Sequence, residues 1–411
     1  MFLIEKGDIL SYYNIKGGTG LKNIELLFSQ NGTINKKKVG LDKNILNIRC
    51  EGDTNIFSGI QIDNIIKTIN AIHAKYGNMK FNININIGEV IFIDKLTYVL
   101  FECICYFLVK KYGNPVQIFM KVESDIYTEG INSSPLIFLN DTTHKTIAKF
   151  PSHFEFDLYG SHFRKMIRCP DDEKTNYLGE LDEQIDRFLK PFGIEQECRD
   201  QISLVIIELV GNACEHAKSD CLLDIDVAPN YKKMKNETLL DDDDYYGINI
   251  AIVDFAEKLL GSDIHNNVLS EQREMLPDRY KKVIDGYNNH LQYFDADYTM
   301  EDFCNIAAFQ KKISGRKEKF QTGGVGLPEL IKSLEDRSDT YRCYMISGRR
   351  CINFYNDLLE YDKDGFIGFN ETNDFLTSRP KQDVVTECLI NMPGTAYNLN
   401  FVMKGKKWKI E

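Results

Sequence analysis

Between residues 195 and 402, four short segments fall in an order that constrains the fold more tightly than composition does. The first is a helical run that begins near Glu195, with Ile202, Val205, Ile206, Leu209 and Val210 at helical spacing. It ends in Glu208-Leu-Val-Gly-Asn212-Ala-Cys-Glu-His216. Glu208 and Asn212 are four apart and project from one face of that helix. The second segment, Tyr246 to Asp254, reads as a strand that ends in an aspartate. The third, Gly323-Gly324-Val325-Gly326-Leu327, opens another helical run from Pro328 to Leu334. The fourth, Pro393-Gly394-Thr395, precedes an alternating strand from Tyr397 to Val402.

Each segment alone has a bland reading: an amphipathic helix with a wet face, a turn residue after a strand, a glycine turn. Together they assemble one chemistry. The amide oxygen of Asn212 can ligate magnesium, and the Glu208 carboxylate can orient or deprotonate a nucleophile beside it. Glycines at 323, 324 and 326 form a turn that leads into a helix.

The order resembles the GHKL ATPase superfamily, which includes the ATPase component of DNA gyrase, mismatch-repair ATPases, gyrase-like heat-shock chaperones, sensor histidine kinases and anti-sigma-factor kinases. The resemblance covers about residues 155–405, and the Asn212-Ala213-x-x-His216 ending looks most like the two kinase branches. It implies ATP and Mg2+ as ligands, Glu208 as general base and Asn212 on the metal. It also implies Asp254 as the acceptor for the adenine amine, with Thr395 supporting it directly or through a water. His216, Gly323, Gly324, Gly326 and Leu327 would line the nucleotide site. One cation of the basic stretch 311–317, Lys311 or Arg316, would reach the γ-phosphate; a solvated basic loop is the plain alternative. The implied fold is a Bergerat-type α/β sandwich, with helices on one face of a mixed sheet, over residues 155–411. Its lid, residues 257–322, is long and mostly helical in pattern. One departure stands out: the family aspartate is normally followed by x-Gly, and here Asp254-Phe255 is followed by Ala256, whose methyl restricts a close backbone approach.

The first 125 residues form a different unit. Residues 44–50, 81–87 and 116–122 alternate as strands, and residues 58–76 and 95–111 carry helical spacing. Strand–helix–strand–helix–strand at this spacing implies parallel pairing. The stretch Gly88 to Asp94 and the helix after it resemble a STAS domain, the fold of anti-sigma-factor antagonists. In that family a phosphorylatable small residue follows the aspartate. Lys95 stands there, so the phospho-switch is not carried over. Residues 126–154, which break the periodicity, read as a linker.

A chain of 411 residues exceeds the size at which one core stops growing, roughly 250–300 residues, which agrees with two domains. None of the 11 cysteines forms a Cys-x-x-Cys pair and several sit in apolar runs, as expected of reduced core thiols in the cytoplasm. The N-terminus shows no signal-peptide pattern, and the most apolar run, Leu96 to Val109, is too short to span a bilayer. A net charge of −11 without a basic stripe argues against direct nucleic-acid binding. No phosphoacceptor helix pair precedes the ATPase-like region, so a sensor kinase is not expected, and no transducer segment follows it as in topoisomerases. Two function classes remain. One is an ATPase, or an ATP-dependent switch or serine/threonine kinase, acting on a protein partner or within a homodimer. By analogy it would serve a bacterial signalling, stress or defence circuit. The other is a non-catalytic interaction module with a degenerate nucleotide pocket, which Ala256 favours.

Overall fold

The computed structural model describes residues 21–404 except 22, 29–31, 34–37, 51–54, 78, 111, 123–133, 141–146, 160, 170–175, 232–233, 236–237, 240–244, 272–274, 314–325 and 338–342. It is a mixed α/β protein that divides into two compact units. The first comprises residues 1–168, 220–227 and 389–391; the second comprises residues 169–219, 228–388 and 392–411. Residues 150–168, which the sequence assigns to the linker and the second domain, thus lie in the first unit. Among the described residues, no helix is long and apolar enough to cross a membrane.

The first unit is built on a sheet of β1 (Val39–Asp42), β2 (Ile45–Arg49), β3 (Ile56–Phe57), β4 (Asn82–Phe92) and β5 (Val116–Val122). β4 is its spine and pairs in parallel with β2, β3 and β5, while β1 and β2 form an antiparallel hairpin. Strict alternation explains β4: Ile83, Ile85 and Ile87 are buried, and Asn84 donates to Asn47 on the opposite face at 3.0 Å. The strand does not stop at residue 87. It passes Gly88, where φ is +77° and the register with β5 slips, and continues to Phe92.

Helix α1 (Gly59–Tyr76) starts at a capping box in which the Ser58 backbone N–H donates to Gln61 at 2.9 Å. Helix α2 (Lys95–Lys110) is capped by Asp94, which accepts from the Thr97 N–H at 2.8 Å. Every residue of α2 from Lys95 to Val109 is buried, so it is a core helix apolar nearly all round. The short helix α3 (Phe150–Glu155) leads into β6 (Phe156–Tyr159) and β7 (His162–Ile167). β7 pairs antiparallel with β6 and with residues 221–226 of β8 (Cys221–Tyr231).

In the second unit, α4 (Tyr177–Leu189) packs on α5 (Gln196–Asn212). A short hairpin, β9 (Met234–Lys235) and β10 (Thr238–Leu239), precedes β11 (Tyr245–Asp254). β11 pairs antiparallel with the long β13 (Val385–Lys404), and β13 pairs antiparallel with β12 (Tyr344–Asn353). Helices α6 (Ser262–Leu269), α7 (Asp278–His290) and α8 (Met300–Ala307) form a packed layer. The last helix, α9 (Gly326–Arg337), lies against α5. The 257–313 part of the expected lid is pinned in place: buried Arg350 of β12 pairs with Asp302 of α8 at 2.6 Å, and His290 holds Tyr298 and the Phe375 carbonyl.

Candidate functional site

Asp254 is the last residue of β11 and is 5 % exposed. The backbone N–H groups of Thr395 and Ala256 donate to its carboxylate. Its Oδ1 has no hydrogen-bond partner among the described residues. Burial pushes the Asp254 pKa up to about 7, and the two backbone hydrogen bonds offset only part of that rise. A buried acceptor without a donor is costly in a folded protein, so this atom has the capacity to accept from one further N–H donor.

Thr395 supports Asp254 directly, through its backbone. The pairing of Val253 with Ala396 puts Thr395 next in line opposite Asp254. The same stretch of β13 holds Gly394, to which the sequence assigns no role of its own. Gly394 has φ +69°, and a Cβ on it would lie 2.1 Å from Asp254 Oδ1 and 2.6 Å from the Ala256 nitrogen. β13 skips two residues, Pro393 and Gly394, between its pairings of Thr395 with Ser347 and Met392 with Gly348. Ser347, fully buried, donates to the Gly394 carbonyl at 2.7 Å and accepts from the Leu260 N–H at 3.0 Å. Gly394 thus lies close against Asp254 and the Ala256 nitrogen, and Ala256 is itself buried. The Pro-Gly pair was the available signal: proline cannot donate to the ladder and glycine tolerates positive φ.

Helix α5 packs against β11 and carries Glu208 and Asn212 in its last α-helical turn, both half-buried. Beyond Asn212 the chain widens into a π turn, Ala213–Ala217, and ends at Lys218 in the left-handed region. The His216 backbone lies in that π turn; its side chain is outside the described residues. Gly326 is the first residue of α9, and Leu327 behind it is buried. Gly323, Gly324 and Arg316 lie outside the described residues.

Lys311 is exposed. Its Nζ stacks over the Tyr361 ring at 4.3 Å, its N–H donates to Gly365 and its carbonyl accepts from Arg279. Among the described residues, no group of three or more His, Cys, Asp or Glu side chains is placed to hold a metal ion.

The first unit holds a second polar cluster that sequence reading missed. Arg164 of β7, fully buried, pairs with Glu102 of α2 and Asp224 of β8. Lys95 pairs with Asp224 and, at 2.5 Å, with Asp226. His162 Nε2 lies 3.1 Å from both Asp224 oxygens, and Ser134 donates to Glu102. Burial pushes Asp224 up, yet Arg164, Lys95 and His162 beside it hold it well below the usual carboxylate range. Burial raises Glu102, which Arg164 offsets only in part.

Comparison with protein-family models, curated proteins and solved structures returned no match for this chain.

Proposed function

We propose that the second unit binds an adenine nucleotide with magnesium and acts as a GHKL-type ATPase or ATP-dependent switch or kinase on a protein partner. The observation that carries this reading is the unpartnered Oδ1 of Asp254, buried at the end of β11. An exocyclic amine would supply the missing donor. Asn212 would contribute one amide oxygen to magnesium, which takes its other ligands from phosphates and water. Glu208, one turn earlier on α5, would act as general base on water or on a partner's hydroxyl. The Bergerat arrangement of this unit belongs to the same proposal. So do the STAS-like character of the first unit, which its parallel β2, β4 and β5 support, the cytoplasmic location and the bacterial circuit.

The second reading, an interaction module with a degenerate pocket, rests on the buried Ala256 methyl at the position where the family has glycine.

Calorimetric titration of the full chain with ATP and GTP, with and without magnesium, separates the two. Expected is saturable ATP binding that weakens without magnesium and exceeds GTP binding. In Asn212→Ala the magnesium dependence should vanish while the fold is retained. Absence of ATP binding by folded protein would overturn the nucleotide reading.

A further inference from the structure

Two thiols of the second unit meet where β13 leaves its ladder. Arg350 of β12 pairs with Glu387 and Gly348 pairs with Met392, so the four residues Cys388 to Asn391 stand against the single residue Arg349. Cys388 is the first of the four and is partly exposed; Cys351, on the neighbouring strand, is 7 % exposed. The Cys351 thiol hydrogen-bonds to Cys388. Because the ladder is interrupted there, the Cys388 backbone is not fixed by pairing on that side.

The charges around the pair are arranged for one reactive sulfur. Arg350 lies beside Cys388 as a fixed cation, clamped by Asp302 at 2.6 Å and by the Asp297 carbonyl at 2.7 Å. Glu387 is the opposing carboxylate. The hydrogen bond from Cys351 lowers the Cys388 thiol below its ordinary value; burial opposes this, and Arg350 adds to the lowering. Burial instead raises Cys103, Cys105 and Cys304.

We infer that Cys388 and Cys351 form a peroxide-responsive thiol pair, with Cys388 as the attacking sulfur and Cys351 as the resolving one. The Cys388 thiolate attacks one oxygen of hydrogen peroxide and the O–O bond breaks. Hydroxide leaves and takes up a proton as water. Peroxide is reduced, and Cys388 is oxidised to a sulfenic acid. The Cys351 sulfur then attacks the Cys388 sulfur, the S–S bond forms and the S–O bond breaks. The hydroxyl departs with the Cys351 proton as a second water. A thiol reductant reverses the step.

The test uses the full reduced chain and stepwise additions of hydrogen peroxide. Each sample is quenched in acid, alkylated with N-ethylmaleimide under denaturing conditions, digested and analysed by mass spectrometry. Expected first is a peptide joining Cys351 to Cys388, lighter by both thiol hydrogens and lost on treatment with dithiothreitol. It should precede any oxidation of the partly exposed Cys169 and Cys198. In Cys351→Ser, Cys388 should be trapped by dimedone as a sulfenic acid; in Cys388→Ser, Cys351 should stay alkylated. The inference fails if wild-type Cys351 and Cys388 both remain alkylated at a dose that oxidises Cys198. It fails equally if Cys388 oxidises to the sulfinic acid while Cys351 stays free.

Discussion

The backbone of Gly394 rests against the carboxylate of Asp254: a Cβ on Gly394 would stand 2.1 Å from Asp254 Oδ1. No methyl fits there, and the Asp254 carbonyl at 2.9 Å and the Ala256 nitrogen at 2.6 Å cannot swing aside as a flexible side chain would. Gly394→Ala also meets a left-handed backbone penalty of about 1–2 kcal/mol. The variant should melt several degrees lower and lose ATP binding. Gly40→Ala, whose Cβ meets nothing within 4 Å, is the control and should change neither. Wild-type ATP affinity in Gly394→Ala would remove Gly394 from the site.

Asp254 should make the unliganded protein less stable as pH rises. Its folded pKa is about 7 against an ordinary 3.8. Below the ordinary value both states are protonated and no stability is lost. Between the two values the unfolded chain ionises while the folded carboxyl does not, so folding weakens with pH; above the folded value the loss is complete. A shift of this size corresponds to ~4 kcal/mol. Asp254→Asn should therefore raise the melting temperature at alkaline pH and leave it nearly unchanged near the ordinary carboxylate range. An equal melting shift at both pH values would disprove this account.

The same carboxyl sets a pH dependence for ligand binding. An adenine amine donates its hydrogen bond, so it needs the ionised acceptor at Oδ1. ATP affinity should fall as pH drops below the folded pKa, approaching tenfold per unit. Binding near neutrality should release protons, read as a heat that varies with the ionisation enthalpy of the buffer. Asp254→Asn should bind ATP weakly at every pH, because its amide presents a donor where the carboxylate accepted. A pH-independent wild-type affinity would place the donor elsewhere.

What could be read from the sequence was what lies close along the chain. The Ile/Asn alternation of residues 82–87 announces β4, the apolar run from Leu96 announces the core helix α2, and the spacing of Ile202 to Val210 announces α5. The strand ending at Asp254 was equally plain. Contacts set by register and by distant partners were not. Gly394 matters because β13 bulges between its pairings with Ser347 and Gly348, and no local pattern reveals that partner. The basic stretch at Lys311 reads as a γ-phosphate contact or a solvated loop, and nothing near it in the sequence points to the Tyr361 ring, fifty residues on, over which its Nζ lies. Lys95 marked a departure from the STAS pattern, but nothing nearby foretold Asp224 and Asp226 as its partners.

The buried cluster in the first unit should be intolerant of losing one member. Arg164→Met removes the guanidinium that faces both Glu102 and Asp224; Asp224 keeps Lys95 and His162, whereas Glu102 is left in the interior without a cation among the described residues. Removing one partner of a buried ion pair costs about 3–5 kcal/mol, since the remaining charge is left uncompensated. Chemical denaturation should show a loss of that order. Adding Glu102→Gln to Arg164→Met should recover part of it, because one orphaned charge is then neutral. A loss under about 1 kcal/mol would rank the cluster with surface pairs.

Glu208 separates turnover from binding. It sits one helical turn before Asn212 on α5, and as general base it acts on the nucleophile and not on the purine. Glu208→Ala should keep magnesium-dependent ATP binding and lose phosphate release, or phosphate transfer to a partner, by about 100-fold to 10,000-fold. Glu208→Gln, which preserves length and hydrogen bonding, should lose turnover to the same degree, and that distinguishes proton abstraction from packing. Asp254→Asn has the opposite signature, because it weakens binding first. If wild-type protein turns over ATP and both Glu208 variants match it, another base serves the reaction. If wild-type protein binds ATP without turnover, alone or with any partner, the nucleotide acts as a switch ligand. The phosphate-release assay and the binding titration, run on the same preparations, tell these outcomes apart.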